Sequence, residues 1–316
     1  MSTRNSCRLS LRVTLLIVGS LTVMAGATVA PALPAIREHF SGAPGARLWA
    51  PLVLTTPALF IVLWGPVAGV IADRWGRKPL IVGSVLLYAL AGASGYLAGS
   101  LPALLLGRAF LGVAVGGIMT GVLALTADYL HGSARASFMG VQGAAMALGG
   151  VVFVMTGGVL ADIHWRAPFL VYLAAIPVLP LAMLTLVEPK RERAPSDEAE
   201  SRPRLALSSI LPIYVVAALL QVAFYVLPVQ IPFLLQADMG VGPRGTGLAI
   251  SAGALCAMVT GILYGRIIQR LSFQTLSALG LGVMGVGYVL VSRADEYWMV
   301  VAGLGISEGG FGLLMP

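Results

Sequence analysis

The chain has 316 residues, 58% of them apolar and only 10% charged, with a mean hydropathy of +0.91 and a formal net charge of +7. Soluble domains carry about a quarter of their residues as charges, so this balance excludes a water-soluble fold and places the chain in lipid. The cations are spread over short loops rather than gathered on one face, which excludes a nucleic-acid surface and reads as a topology signal.

Uncharged windows of about 20 residues, the length that spans about 30 Å of hydrocarbon, predict ten helices. They lie at 13–36, 49–72, 79–98, 102–126, 137–159, 167–187, 208–235, 246–266, 273–291 and 297–316. The first imitates a signal peptide, with Arg4, Arg8 and Arg12 ahead of an apolar core and Ala25-Gly26-Ala27 as a cleavage site. Its apolar character runs on to Ile36 and ends in Pro31-x-x-Pro34, so it is read as a retained span. The stretch from Pro79 to Gly107 holds 29 uncharged residues, too many for one span and too few for two. It divides at the turn signal Gly99-Ser100-Leu101-Pro102, and the helix that follows carries Arg108 into the membrane.

The second and third windows are joined by GVIADRWGRK, residues 69–78. Gly69 precedes Asp73 and Arg74 by one helical turn, and Gly76, Arg77 and Lys78 follow. An acid at a helix C-terminus is disfavoured by the dipole, so Asp73 calls for a compensating cation. The segment 188–204, EPKRERAPSDEAESRPR, is rich in charge and Pro. It reads as a flexible cytoplasmic linker over 188–207 between an N-terminal half, 1–187, and a C-terminal half, 208–316.

Most Lys and Arg fall in loops on the side of the N-terminus; Arg37, Arg47, Arg166, Arg244 and Arg293 lie across the bilayer and Arg108 within it. This bias puts the N-terminus and the 69–78 loop in the cytoplasm of a multi-pass inner-membrane protein. Cys7 and Cys256 are placed where no disulfide between them forms, and no metal spacing occurs. His39, His131 and His164 sit in separate loops without a Ser-His-Asp or metal cluster, and no nucleotide-binding loop is present. An enzyme, a cofactor and ATP as energy source are therefore not expected.

The halves repeat. GVIADRWGRK at 69–78 answers to GILYGRIIQR at 261–270, keeping Gly261, Arg266 and Arg270. Residues 104–120 align without gaps to 300–316, pairing Gly107 with Gly303, Gly116 with Gly312 and Met119 with Met315, while Pro31 and Pro34 find counterparts in Pro228 and Pro232.

Gly69, Asp73, Arg74, Gly76, Arg77 and Lys78 match G-x-x-x-D-R-x-G-R-[KR], so the chain resembles the major facilitator superfamily, most closely its drug and metabolite proton antiporters. The resemblance implies an all-α membrane protein with two six-helix pseudo-repeats, of which ten helices are present, and a solute site at the repeat interface. About 70 to 80 further residues and two more helices would complete the repeat. The sequence is thus read as C-terminally truncated and inactive as it stands, and the function expected is that of the whole. By the same resemblance, Asp73, Arg77, Asp128 and an eleventh helix form a latch that closes the cytoplasmic side. Leu106 to Gly112 resembles the R-x-x-x-G motif, whose Arg, here Arg108, the family links to proton coupling. Gly140, Gly149, Gly157 and Gly158 fit the antiporter motif of the fifth helix, but Phe153 and Val154 replace its Gly-Pro, which leaves the direction of transport open. Asp162-x-x-Trp165-Arg166-x-Pro168-Phe169 resembles the outer loop before helix six, with Trp165 expected at the membrane interface.

Polar groups on the cavity faces of such a fold are few: Thr28, Arg108, Gln142, Gln221, Tyr225 and Glu308. Gln221 and Tyr225 are four apart and share a helix face. With Met24, Met119, Met146 and Phe224 they describe an apolar, adaptable pocket suited to an amphipathic drug or metabolite. Glu308, eleven residues past Tyr297, lies about 16 Å into its helix. The repeat sets it opposite Gly112, which makes it the expected protonatable site with Arg108 as counterweight. The function read from the sequence is therefore proton-coupled efflux by a monomer, its partners a small-molecule solute, protons and the lipid bilayer. A proton symporter for an organic anion or sugar is the alternative within transporters, and a non-transporting receptor or scaffold the alternative outside them.

Overall fold

The computed structural model describes residues 2–188, 207–267 and 271–314. The linker residues 189–206 and the repeat residues Arg270 and Met315 lie outside these. Helices run in the order α1 (Ser2–Ala27), α2 (Leu33–His39), α3 (Ala46–Trp75), α4 (Arg77–Leu97), α5 (Leu101–Tyr129), α6 (Gly132–Ile163), α7 (Val178–Thr185), α8 (Leu207–Phe233), α9 (Pro243–Ile267), α10 (Phe273–Ser292) and α11 (Tyr297–Gly312). No strand occurs among the described residues, and within them nine helical stretches are long and apolar enough to cross a membrane.

Every predicted window falls on helix, and the departures have backbone causes. The first window is broken: α1 ends at Ala27, a 3-10 turn covers Ala30–Ala32, and α2 restarts at Leu33. Pro31 and Pro34 each sit in the first residues of a new turn, where a missing N–H costs nothing. The sixth window begins as a 3-10 stretch, Ala167–Ala175, led by Pro168, before Pro177 caps α7. The seventh ends in a π turn, Leu234–Asp238. Hydropathy windows register none of these breaks, because proline and the helix interior are equally uncharged. The tenth window is shorter as a described helix, since α11 ends at Gly312 after 16 residues. Trp165, expected at the interface, is only 7% exposed and packs between His39, 4.8 Å away, and Phe40, 5.6 Å away. Its ring is worth more as the pin between α2 and the 167–175 stretch than as a lipid anchor.

The predicted repeat is visible in helix packing. On α5, Gly107 lies against Ala91 and Ser94 of α4, and Gly116 against Ile61 of α3. On α11, Gly303 lies against Gly287 and Val291 of α10, and Gly312 against Ala257 and Thr260 of α9. Each paired glycine thus lets the same pair of helices approach in its own half, by the small-residue packing that lipid-embedded helices rely on. One large core, which includes Val18, Met24, Leu33, Ile81, Leu111 and Phe169, holds α1 to α7. A smaller one, with Leu227, Ile231, Ala249, Val300 and Leu304, holds the C-terminal half.

The halves meet along α6 and α9, where a Cβ on Gly158 would lie 2.9 Å from the Pro243 carbonyl oxygen. The Ser251 hydroxyl donates to the Val151 carbonyl at 3.2 Å. Gln236 Nε2 donates to the Pro31 carbonyl at 2.7 Å, and the Arg37 guanidinium lies 4.3 Å over the Phe233 ring. These contacts cluster at the end of the bundle away from the 69–78 loop.

Two glycines of the fifth-helix motif differ in what surrounds them. A Cβ on Gly157 would stand 2.0 Å from the Thr28 carbonyl oxygen, whereas one on Gly140 would meet nothing within 4 Å. Gly157→Ala is expected to lower the thermal midpoint of the purified protein, since overpacking against backbone costs about 1–3 kcal/mol. Gly140→Ala should leave it in place; equal midpoints for the two variants would mean that α1 and α6 are not in contact there.

Candidate functional site

The 69–78 loop turns on Gly76, whose φ of 108° and ψ of 159° suit a residue without a side chain. Arg77 opens α4 and points back at the ends of two helices. Its Nε lies 3.0 Å from Asp128 Oδ2, with the two side chains 18% and 29% exposed. Asp73 Oδ1 is 4.0 Å from the same guanidinium, and its side chain is 78% exposed. Coulomb attraction falls with distance and with solvent screening, so the pair with Asp128 is the stronger. Arg74 occupies the last turn of α3, where a cation complements the dipole. Gly69 faces open space, with nothing within 4 Å of an added Cβ.

A residue assigned to the linker from sequence completes this corner. Glu188 accepts the backbone N–H groups of Arg77 at 2.8 Å and Lys78 at 2.7 Å. These donors at the start of α4 have no helical partner, and a carboxylate there satisfies them and the dipole together. The Tyr129 hydroxyl donates to the neighbouring Val187 carbonyl at 2.7 Å, so the end of α5 and the start of α4 both grip the segment after α7. Arg77→Ala and Asp128→Asn are expected to lower the thermal midpoint to about the same level, and the double variant little further. A coupling of about 0.5–3 kcal/mol in a thermal double-mutant cycle is the accompanying measurement, and fully additive losses would dissolve the pair.

Arg108 is 1% exposed, so it does not snorkel to the membrane surface. Its Nε donates to the Val53 carbonyl at 3.2 Å. One terminal nitrogen donates to the Ala25 carbonyl and to the Tyr172 hydroxyl, the latter at 2.9 Å, and the other has no hydrogen-bond partner among the described residues. Tyr172 in turn donates to the Ala25 carbonyl at 2.8 Å. The Tyr88 hydroxyl donates to the Leu21 carbonyl at 2.7 Å. Because α1 ends at Ala27, its last carbonyls lack helical donors, and Arg108 with Tyr172 supplies them.

Between the halves lies a cavity of about 310 Å³ whose walls include Thr22, Gly26, Val154, Phe224, Tyr225, Leu304 and Glu308. Glu308 brings the one carboxylate to that wall, and no Lys, Arg or His joins it. Its Cγ would lie 3.0 Å from a Cβ on Gly253, so the acid rests against α9 where that helix has no side chain. Phe224 stacks on Phe311 with ring centres 4.3 Å apart, and the Tyr288 hydroxyl donates to the Ala223 carbonyl, joining α10 to α8.

Of the predicted cavity residues, the structure brings Tyr225 and Glu308 together and separates the others. Gln142 lines a second cleft of about 380 Å³ with Gly19, Gly65, Gly116, Met119 and Met146; Thr22 belongs to both walls. Thr28 is fully buried and gives its hydroxyl to the Met24 carbonyl at 3.0 Å, because the break in α1 turns it into the α1–α6 contact. Met24 is buried in the core as well. Gln221 is exposed: the cavity wall on α8 starts at Phe224, so a side chain one turn nearer the linker falls outside it. Arg108 is enclosed by α1, α3 and the 167–175 stretch and lines neither space, so the expected counterweight to Glu308 is not formed. Sequence reasoning missed Tyr172 and Glu188. The only signal for Tyr172 is its spacing of three from Phe169, and for Glu188 its position as the first acid after the sixth window.

A family model described as Major Facilitator Superfamily matches residues 15–316. Among solved structures, the partially occluded inward open conformation of the xylose transporter XylE from E. coli superposes with a TM-score of 0.78 at 15% identity, covering 98% of this chain and 82% of that one. A bacterial homolog of the human lysosomal transporter Spinster, inward-facing and unoccupied, gives a TM-score of 0.76 at 20% identity, with 97% and 74% covered. A D-xylose-proton symporter gives 0.76 at 14% identity, with 96% and 80% covered. At these identities the likeness is one of fold. No curated protein matches the chain.

Proposed function

The chain belongs to the major facilitator superfamily, and on that premise we propose that it exports a small amphipathic solute in exchange for protons by rocking one half against the other. The observation that carries this reading is Glu308, a single acid in a cavity between the halves whose other polar side chains are the hydroxyls of Thr22 and Tyr225, with no base in the same wall. An unpaired charge in such a place is costly, so the carboxylate holds either a proton or a cationic group of the solute. Alternation between the two couples the flows. A sugar asks for more amides and carboxylates than this wall offers, which favours a lipophilic cargo over the symport alternative.

The orientation proposed puts the N-terminus and the 69–78 loop in the cytoplasm of the inner membrane. The contacts of Gln236 with Pro31, Arg37 with Phe233 and Gly158 with Gly247 then close the outer side, so this arrangement is inward-facing. Asp73, Arg77 and Asp128 serve the opposite step as the latch that holds the cytoplasmic side shut. Arg108 serves by holding the end of α1 beside the cavity, and Glu308 carries the proton. Everted membrane vesicles from cells expressing the full-length protein test the reading directly. Lipophilic solutes should accumulate under an imposed proton gradient and stop when it is collapsed; a panel in which no solute responds to the gradient overturns proton-coupled export.

A further inference from the structure

Resting on that transporter reading, we propose that the solute is a cationic amphiphile with one tail, its head bound at Glu308 and its tail laid in the cleft beyond Thr22. The two spaces are comparable, about 310 and 380 Å³, and they share Thr22 in their walls. Their chemistry differs. The first holds Glu308, which makes no hydrogen bond or ion pair with the described residues, and beside it the rings of Phe224 and Tyr225. A carboxylate without a counter-charge attracts a monocation, and aromatic faces add to that attraction. The second holds no ionisable side chain. Gly19, Gly65, Gly116, Met119 and Met146 line it together with the neutral amide of Gln142, and the two methionines adapt to flexible apolar chains. At the junction Thr22 gives its hydroxyl to the Gly19 carbonyl at 2.6 Å, so it asks nothing polar of a passing tail. A compact cation would leave the second cleft empty, an anion would meet a like charge in the first, and a sugar would leave the carboxylate there without a counter-charge.

The test uses permanently charged probes that carry no proton of their own: tetramethylammonium, butyltrimethylammonium and octyltrimethylammonium, with octyl sulfonate and octyl glucoside as anionic and neutral counterparts. Uptake into everted vesicles is measured under an imposed pH gradient. The wild-type protein should carry the ammonium series with KM falling as the chain lengthens, and neither counterpart. Gly65→Leu adds bulk at the cleft wall, where nothing lies within 4 Å of an added Cβ. It should raise the ratio of the octyl to the tetramethyl KM on the order of tenfold, a few methylenes' worth of lost burial. Comparing that ratio between proteins cancels partition of the probes into lipid. Met146→Ala enlarges the cleft and, with dodecyltrimethylammonium and hexadecyltrimethylammonium added to the series, should move the chain length of lowest KM upward from that of the wild type, an effect that a misfolded variant does not produce. Gradient-driven uptake of the counterparts but not the ammonium series overturns the cationic head and leaves the transporter reading standing. An unchanged ratio in Gly65→Leu together with an unchanged optimum in Met146→Ala overturns the tail cleft. No gradient-driven movement of any solute overturns the transporter reading, and this inference with it.

Discussion

Glu308→Gln is expected to abolish pH-gradient-driven flux while downhill exchange of solute persists at raised KM. The substitution keeps the shape of the side chain and its seat against Gly253, and it removes the one carboxylate of the cavity wall. A glutamine takes no proton and offers a cationic head no counter-charge, so the solute moves without a proton and binds more weakly. The comparison that matters is within one vesicle preparation: counterflow of labelled solute should continue when the gradient-driven rate has fallen to background. Driven flux that survives the substitution would place the proton elsewhere.

Arg108→Lys is expected to lose driven flux and exchange alike, and to lower the thermal midpoint. Lysine keeps the charge, but its single ammonium does not reach the Val53 carbonyl, the Ala25 carbonyl and the Tyr172 hydroxyl in the planar fork that arginine offers. Each buried acceptor left open costs about 1–3 kcal/mol, which is a large share of the stability of one domain. The cavity walls also carry Thr22, Gly26 and Ala27 of α1, so loosening the end of that helix disturbs both flows at once. A lysine variant with normal exchange but no driven flux would instead make Arg108 part of the proton path. Tyr172→Phe removes the second donor to Ala25 and should show a milder form of the same double loss.

The membrane class, the positions of the helical windows and the pairing of the halves were legible in the sequence, because each follows from local rules. Hydrocarbon accepts only long uncharged helices, so windows of hydropathy locate the spans. Gly107 with Gly303 and Gly116 with Gly312 could be paired by alignment, and the structure gives each pair the same helix neighbours. The pair of Arg77 with Asp128 was implied by the resemblance to the family rather than by a local rule, and the two side chains stand 3.0 Å apart.

The candidate site was legible only in part. Glu308 and Tyr225 were found because ionisable and hydroxyl groups inside apolar helices are rare enough to name. Thr28, Gln221 and Arg108 were equally rare, yet none of them lines the cavity. Their fate depends on where the backbone gives way. The proline break after Ala27 leaves carbonyls that draw in Arg108 and Tyr172, and it turns Thr28 toward Gly157. Glu188 became a helix cap because its chain segment returns beside α4, a neighbour more than a hundred residues away in sequence. The sequence by itself determined which groups are too costly to bury unpaired. Only the tertiary structure decided which partner satisfies each, because hydrogen bonds and ion pairs are set by distances between helices that no local pattern records.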